Sequence, residues 1–277
     1  MADEVGINLQ LWTSVWARGD LPDRAVLRAF RQMGCDGVEV TFSGSRPADN
    51  AAYGRMVAGG GVAVALVNRR PDADPLSDDP AQPTSSDGYL RRLVDCADAI
   101  GAEVIVGCFY ASPVVFAAQE INEQEWVWLV ESQTDMDDYA PMRLAVKPLN
   151  RREAKRPFSV ADAARLVRAV NRPNYGCLLD AYSARVDEVD PGAALDATLP
   201  KAGHVHVSLN HSRTPGSGEE TTLRALHRLR LADYCPWINV DVFAGAAFAR
   251  SIWTGPLSQQ TELALDAIRT IRQTWKH

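Results

Sequence analysis

Leu144-Ala145-Val146-Lys147-Pro148-Leu149-Asn150-Arg151-Arg152-Glu153 is the stretch on which the fold turns. Three apolar residues end at a lysine. The proline that follows has no N–H and cannot continue a ladder, and a strongly charged loop comes next. This is the profile of a short buried parallel strand with Lys147 at its carboxyl end. An ammonium there is costly unless it is paired or at work.

Working outward, similar apolar runs rich in Val and Ile recur at residues 5–9, 37–40, 62–67, 104–108, 175–179, 202–207 and 237–240. With 144–146 they make eight strands, spaced on average by about the length of a βα unit. Helical patterns fall between them at 23–33, 50–58, 87–100, 123–139, 160–170, 192–199, 221–228 and 259–275. In the fifth, Val160, Ala163, Ala164, Leu166, Val167 and Val170 share one face. Ser159 stands before it as a cap, with Asp162 three residues on. Eight βα units predict an α/β fold: a single-domain (β/α)₈ TIM barrel over residues 1–277. A doubly wound open sheet is the alternative, and the regular count disfavours it. Residues 71–88 read as a solvated loop. Residues 211–220, polar and Gly-rich, read as a mobile loop beside the site.

Composition narrows the class. The chain has 277 residues, 46% hydrophobic and 23% charged, with a net charge of -6. An acidic chain without basic clusters gives no reason to expect nucleic acid or an anionic membrane as a partner. No apolar run is long enough to span a bilayer, and the N-terminus has no basic or apolar leader. Five cysteines without CxxC spacing predict free buried thiols in a reducing, cytoplasmic compartment. A small molecule is the expected partner, and a homo-oligomer is left open.

A barrel puts its chemistry at the carboxyl ends of its strands. Those ends supply Trp12 and Trp16, Glu39, Asn68, Tyr110, Lys147 with Asn150, Arg151 and Glu153, Asp180 with Tyr182 and Ser183, His204 and His206 with Asn210, and Asp241 with Phe243. Four consecutive strands bring Lys147, Asp180, His206 and Asp241 to one rim. Each has a plainer reading. A strand-end aspartate often caps the next helix, Glu39 can be an internal residue held by a base, and Trp12 can be packing.

At these residues the chain resembles the xylose-isomerase-like barrel superfamily, above all its tagatose/psicose epimerase and hydroxypyruvate isomerase branch. The resemblance runs through Gly6-Ile7-Asn8, Leu11-Trp12-Thr13, Gly34-Cys35-Asp36-Gly37-Val38-Glu39, Pro148-Leu149-Asn150-Arg151 with Glu153, Leu178-Leu179-Asp180, Gly203-His204-Val205-His206-Val207-Ser208 and Pro215-Gly216-Ser217-Gly218. It implies a divalent metal held by Glu, Asp, His and Glu from strands five to eight, the two glutamates also moving a proton beside a carbonyl. This chain keeps Asp180 and His206 but has Lys147 and Asp241 where the glutamates are implied. Ser183, Leu209 and Ser212 replace further family residues.

With a neutral imidazole, Lys147, Asp180, His206 and Asp241 carry the same single net negative charge that the family set carries with its ion. A protonated lysine cannot ligate a metal. The reading is therefore a metal-independent isomerase or epimerase, or a lyase-type dehydratase, with no cofactor. The ammonium of Lys147 stands in for the ion and stabilises an enolate-like intermediate, and Asp241 or His206 acts as base. Glu153 shuttles a proton at a substrate hydroxyl. Three alternatives stay open: Mn²⁺ or Mg²⁺ on Asp180, His206 and Asp241; a Schiff base on Lys147; and a non-catalytic binding subunit.

Overall fold

The computed structural model describes residues 5–8, 31–32, 34–42, 63–68, 83–109, 122–151, 158–207, 219–232, 238–240, 268–269 and 271–273. Eight strands follow one another round a closed barrel: β1 (Val5–Asn8), β2 (Gly37–Phe42), β3 (Ala63–Asn68), β4 (Val104–Gly107), β5 (Arg143–Val146), β6 (Tyr175–Asp180), β7 (Ala202–Val207) and β8 (Ile238–Val240). All neighbours are parallel, and β8 closes on β1 with Val5 opposite Ile238. The strands expected from the apolar runs are these, with ends shifted by a residue or two. The open sheet is excluded by the closure.

Between the strands lie α1 (Pro83–Ala99), α2 (Glu123–Tyr139), α3 (Val160–Val170), α4 (Ala181–Asp187), α5 (Pro191–Thr198) and α6 (Glu219–Leu231). In α3 the Ser159 hydroxyl accepts from the Asp162 N–H, and the Asp162 carboxylate accepts from the Ser159 N–H. The expected apolar face of α3 is buried. α1 starts inside the stretch read as a loop, because Pro83 suits a first helical turn. α4 is an addition that the sequence reading left as rim. Residues 31–32, 268–269 and 271–273 are helical, as expected there. The expected helix at 50–58 and the loop at 211–218 lie outside the described residues. No described helix is long and apolar enough to cross a membrane.

Strand alternation decides what faces the barrel axis. Ile105, Leu144, Val146, Tyr175, Cys177, Leu179, Val205, Val207 and Ile238 belong to the large core beneath the helices. Val104, Val106, Ala145 and Leu178 form a separate small cluster, the barrel's own filling. By the same parity Lys147, Asp180, His204, His206 and Asn239 point inward.

One irregularity sets the phase of β7. Cys177 pairs with Ala202 but Leu178 pairs with His204, so Gly203 is an extra residue, a β-bulge. A Cβ on Gly203 would lie 3.2 Å from Ala145 Cβ, and one on Gly176 would lie 2.7 Å from the Lys201 carbonyl. Only glycine lets these backbones approach so closely. Cys35, Cys96 and Cys177 are free and buried. Burial pushes their thiols up to about 12, 11 and 12, consistent with packing roles.

Candidate active site

Lys147 leaves β5 with its N–H still bonded to the Gly107 carbonyl, 2.8 Å away, so the ladder carries one residue past the strand. Pro148 ends it. Leu149 then pairs with Phe158 in an antiparallel bridge that pins both ends of the charged loop. The Lys147 side chain is thereby held inward at 11% exposure, with its Nζ 3.5 Å from Oδ2 of Asp180, itself 3% exposed.

Asp180 divides its two oxygens. Oδ1 accepts from the Tyr182 and Ser183 N–H groups at 2.9 and 3.0 Å, capping α4, and Oδ2 faces Lys147. The capping reading of this residue holds on Oδ1, while Oδ2 stays turned toward Lys147. Asn150 Nδ2 donates to Ser183 Oγ across 3.1 Å and ties the loop after β5 to the first turn of α4. Arg151 turns outward: its N–H and Nε–H donate to Asp187, and Nη2 donates to the Val186 carbonyl. Tyr182 is half-buried beneath the Arg185 guanidinium.

Deeper in the barrel, Glu39 reaches across from β2 to β7. Nε2 of His204 and Nε2 of His206 lie 2.8 and 2.7 Å from the same Oε1. An ionised carboxylate only accepts, so both imidazoles carry their proton on Nε2. Burial alone would raise the Glu39 carboxyl, but the charge of His206 and the two imidazole bonds outweigh it and hold it at about 2. His204 is pushed below its ordinary value, because burial disfavours its charge more than Glu39 favours it. The plainer reading of Glu39, an internal residue held by bases, describes this contact.

The rim thus brings together Lys147, Asp180, Asn150 and Ser183, and the interior brings together Glu39, His204 and His206. Asn68 closes β3, in register with Gly107. Trp12, Trp16, Tyr110, Glu153, Asn210, Asp241 and Phe243 lie outside the described residues. Asn239 was missed by the sequence reading, although the alternation in Ile238-Asn239-Val240 points it inward.

The expectation of no metal is corrected here. Glu39, His204 and His206 offer ligand atoms that all lie within 4.8 Å of one another. A carboxylate and two imidazoles are a donor set that first-row divalent ions take. The earlier charge balance counted only the ends of strands five to eight. It left out the buried carboxylate of Glu39, which adds a negative charge that a cation can neutralise. The alternative ion on Asp180, His206 and Asp241 meets a different arrangement among the described residues: Asp180 is engaged by its cap bonds and by Lys147.

Residues 27–273 match the family described as xylose isomerase-like TIM barrel, and the chain belongs to that family. A probable ketose 3-epimerase of Synechocystis sp. is 25% identical over 98% of this chain and 97% of its own length. A ketose 3-epimerase of Arthrobacter globiformis is 25% identical over 82% of this chain and 80% of its own. A D-psicose 3-epimerase from Clostridium cellulolyticum H10, solved with D-tagatose, superposes with a TM-score of 0.84 at 17% identity, covering 98% of this chain and 99% of that one. The expectation of an isomerase- or epimerase-type enzyme agrees with these relatives.

Proposed function

We propose that the protein epimerises a small ketose at the carbon beside its carbonyl, as a ketose 3-epimerase does. The observation that carries this reading is the buried Lys147–Asp180 pair at the carboxyl end of the barrel, 3.5 Å apart, in a chain matched end to end by a probable ketose 3-epimerase. Removing a proton beside a carbonyl builds negative charge on the carbonyl oxygen. A fixed ammonium aimed at that oxygen stabilises the enediolate more than the ketose, and so lowers the barrier.

In this scheme Lys147 donates to the oxygen that becomes the enediolate, and Asp180 holds Lys147 charged and aimed. Asp241 is the proposed base that takes the proton, and Glu153, starting protonated, is the proposed acid that returns one, so that exchange through two groups inverts the centre. His206 stays out of the transfer because Glu39 engages its Nε2. Asn150 and Ser183, bonded to each other, offer polar contacts to substrate hydroxyls. The residues that would hold a divalent ion are Glu39, His204 and His206, and a bound ion would supply positive charge beneath the rim.

A panel of D-fructose, D-tagatose and L-ribulose, each incubated with the protein and separated by chromatography, tests this. Appearance of the 3-epimer of at least one, lost in Lys147→Ala, is the expected result. No epimer from any ketose, with and without added divalent ion, would sink the reading.

A further inference from the structure

The inner wall of the barrel carries a fourth polar residue beside the three donors just described. Asn239 is fully buried, and neither its Oδ1 nor its Nδ2 has a hydrogen-bond partner. Its neighbours on β8 fix its direction: Ile238 lies in the core under the helices, so Asn239 faces the axis. Register places it directly beside His206, which is itself in register with Asp180. The sequence His206, Asn239 thus continues round the wall from the rim pair. Buried amides are almost always hydrogen-bonded, and an exception calls for a missing partner.

The geometry points to a four-donor cation site inside the barrel, in which Glu39, His204, His206 and Oδ1 of Asn239 together take one first-row divalent cation. The inference extends the three-donor set assigned above by a ligand, and it makes the site a closed one. All four residues are 2% exposed or less. The donor chemistry excludes the hard ions: two imidazoles suit the Mn²⁺ to Zn²⁺ series, whereas Ca²⁺ and Mg²⁺ prefer oxygen throughout. Without an ion, the fully buried carboxylate of Glu39 accepts from both imidazoles on one oxygen. With an ion, each imidazole presents an unprotonated nitrogen to it, the Nε2–H bonds to Glu39 giving way and the proton moving to Nδ1. Glu39 is then neutralised by the ion and the amide oxygen of Asn239 is satisfied. Four protein donors leave no need for an open position, the pattern of an ion that holds a fold together.

The test is made without substrate, so it stands or fails separately from the sugar chemistry. The full chain is stripped with chelator, offered Zn²⁺, passed through a desalting column and assayed for metal, with melting curves before and after. Co²⁺ serves as a visible-absorption probe of coordination. The expected result is one retained equivalent of Zn²⁺, a melting temperature raised by several degrees and Co²⁺ bands of a low-coordinate nitrogen–oxygen site. Asn239→Leu removes the unsatisfied amide. It should melt no lower than the stripped wild type yet bind Zn²⁺ at least about tenfold more weakly. Asn239→Asp, which exchanges the amide for a carboxylate, should bind more tightly. Glu39→Gln should abolish retention. Failure of the wild type to retain Zn²⁺, as when a water fills the position, overturns the inference. So does Zn²⁺ binding that Asn239→Leu and Asn239→Asp both leave unchanged.

Discussion

Lys147 and Asp180 show how a ladder bond, a proline and a helix cap assemble one buried ion pair. The ammonium is held inward by the ladder bond to Gly107 and by the proline behind it. The aspartate spends one oxygen on the α4 cap and keeps the other for the ammonium. Removing one partner of a buried pair leaves the other charge uncompensated. Lys147→Ala should therefore cost about 3–5 kcal/mol of stability, read as a lower urea midpoint with an unchanged m-value. A loss under about 1 kcal/mol would mean that the pair is effectively solvated. The Glu39 cluster makes a second prediction at this scale. His204 has a folded pKa below its ordinary 6.5. Its contribution is complete above 6.5 and is lost as the pH falls, because the unfolded chain takes the proton first. Glu39, held at about 2 against an ordinary 4.5, adds a further loss only below 4.5. Melting temperature of the stripped protein should decline from pH 6.5 downward, and the upper part of that slope should be absent in His204→Gln. A flat profile down to pH 5 in the wild type would contradict the assignment.

At the scale of elements, the two histidines owe their direction to a bulge that no local pattern announces. Gly203 is inserted opposite β6, and Gly176 lies against it. A methyl on Gly176 would strike backbone rather than a movable side chain. Gly176→Ala is expected to cost about 1–3 kcal/mol, measurable by chemical denaturation, and to weaken activity by displacing His204 and His206. Ser159→Ala removes one half of a reciprocal cap and should cost about 1 kcal/mol. That cap was legible in the sequence, because Ser159 and Asp162 carry it within four residues and the apolar stripe of α3 begins beside them. The α4 helix was not legible. It has seven residues, too few for a periodic stripe, and its start is marked only by an aspartate that also faces the site. Register, and hence the bulge, arises from how two strands meet and is invisible in either strand alone.

Over the whole molecule, the barrel was readable because the strands are short runs dominated by apolar residues and recur at βα spacing, with helical periods such as that of α3 between them. The rim was readable for the same reason: once strand ends are known, topology converges Lys147 and Asp180. The interior was read in part: Glu39 was expected to be held by a base, and it is, but it was left out of the charge balance. Glu39 and His206 are 167 residues apart, and the charge balance drawn along strands five to eight had no way to include a carboxylate crossing from β2. Asn239 was overlooked because a lone asparagine in a three-residue strand carries no pattern. The relatives that span this chain and the Lys147–Asp180 rim together give the proposed chemistry, which is proton exchange beside a ketose carbonyl. The most direct measurement follows the hydrogen itself. Each ketose is incubated with the protein in D₂O, with a divalent ion present, and C3 is monitored by NMR. The account predicts deuterium at C3 together with the 3-epimer, at a rate cut by at least about a hundredfold in Lys147→Ala. Exchange at C3 that proceeds equally fast in Lys147→Ala, or no exchange at C3 in any ketose, would contradict it.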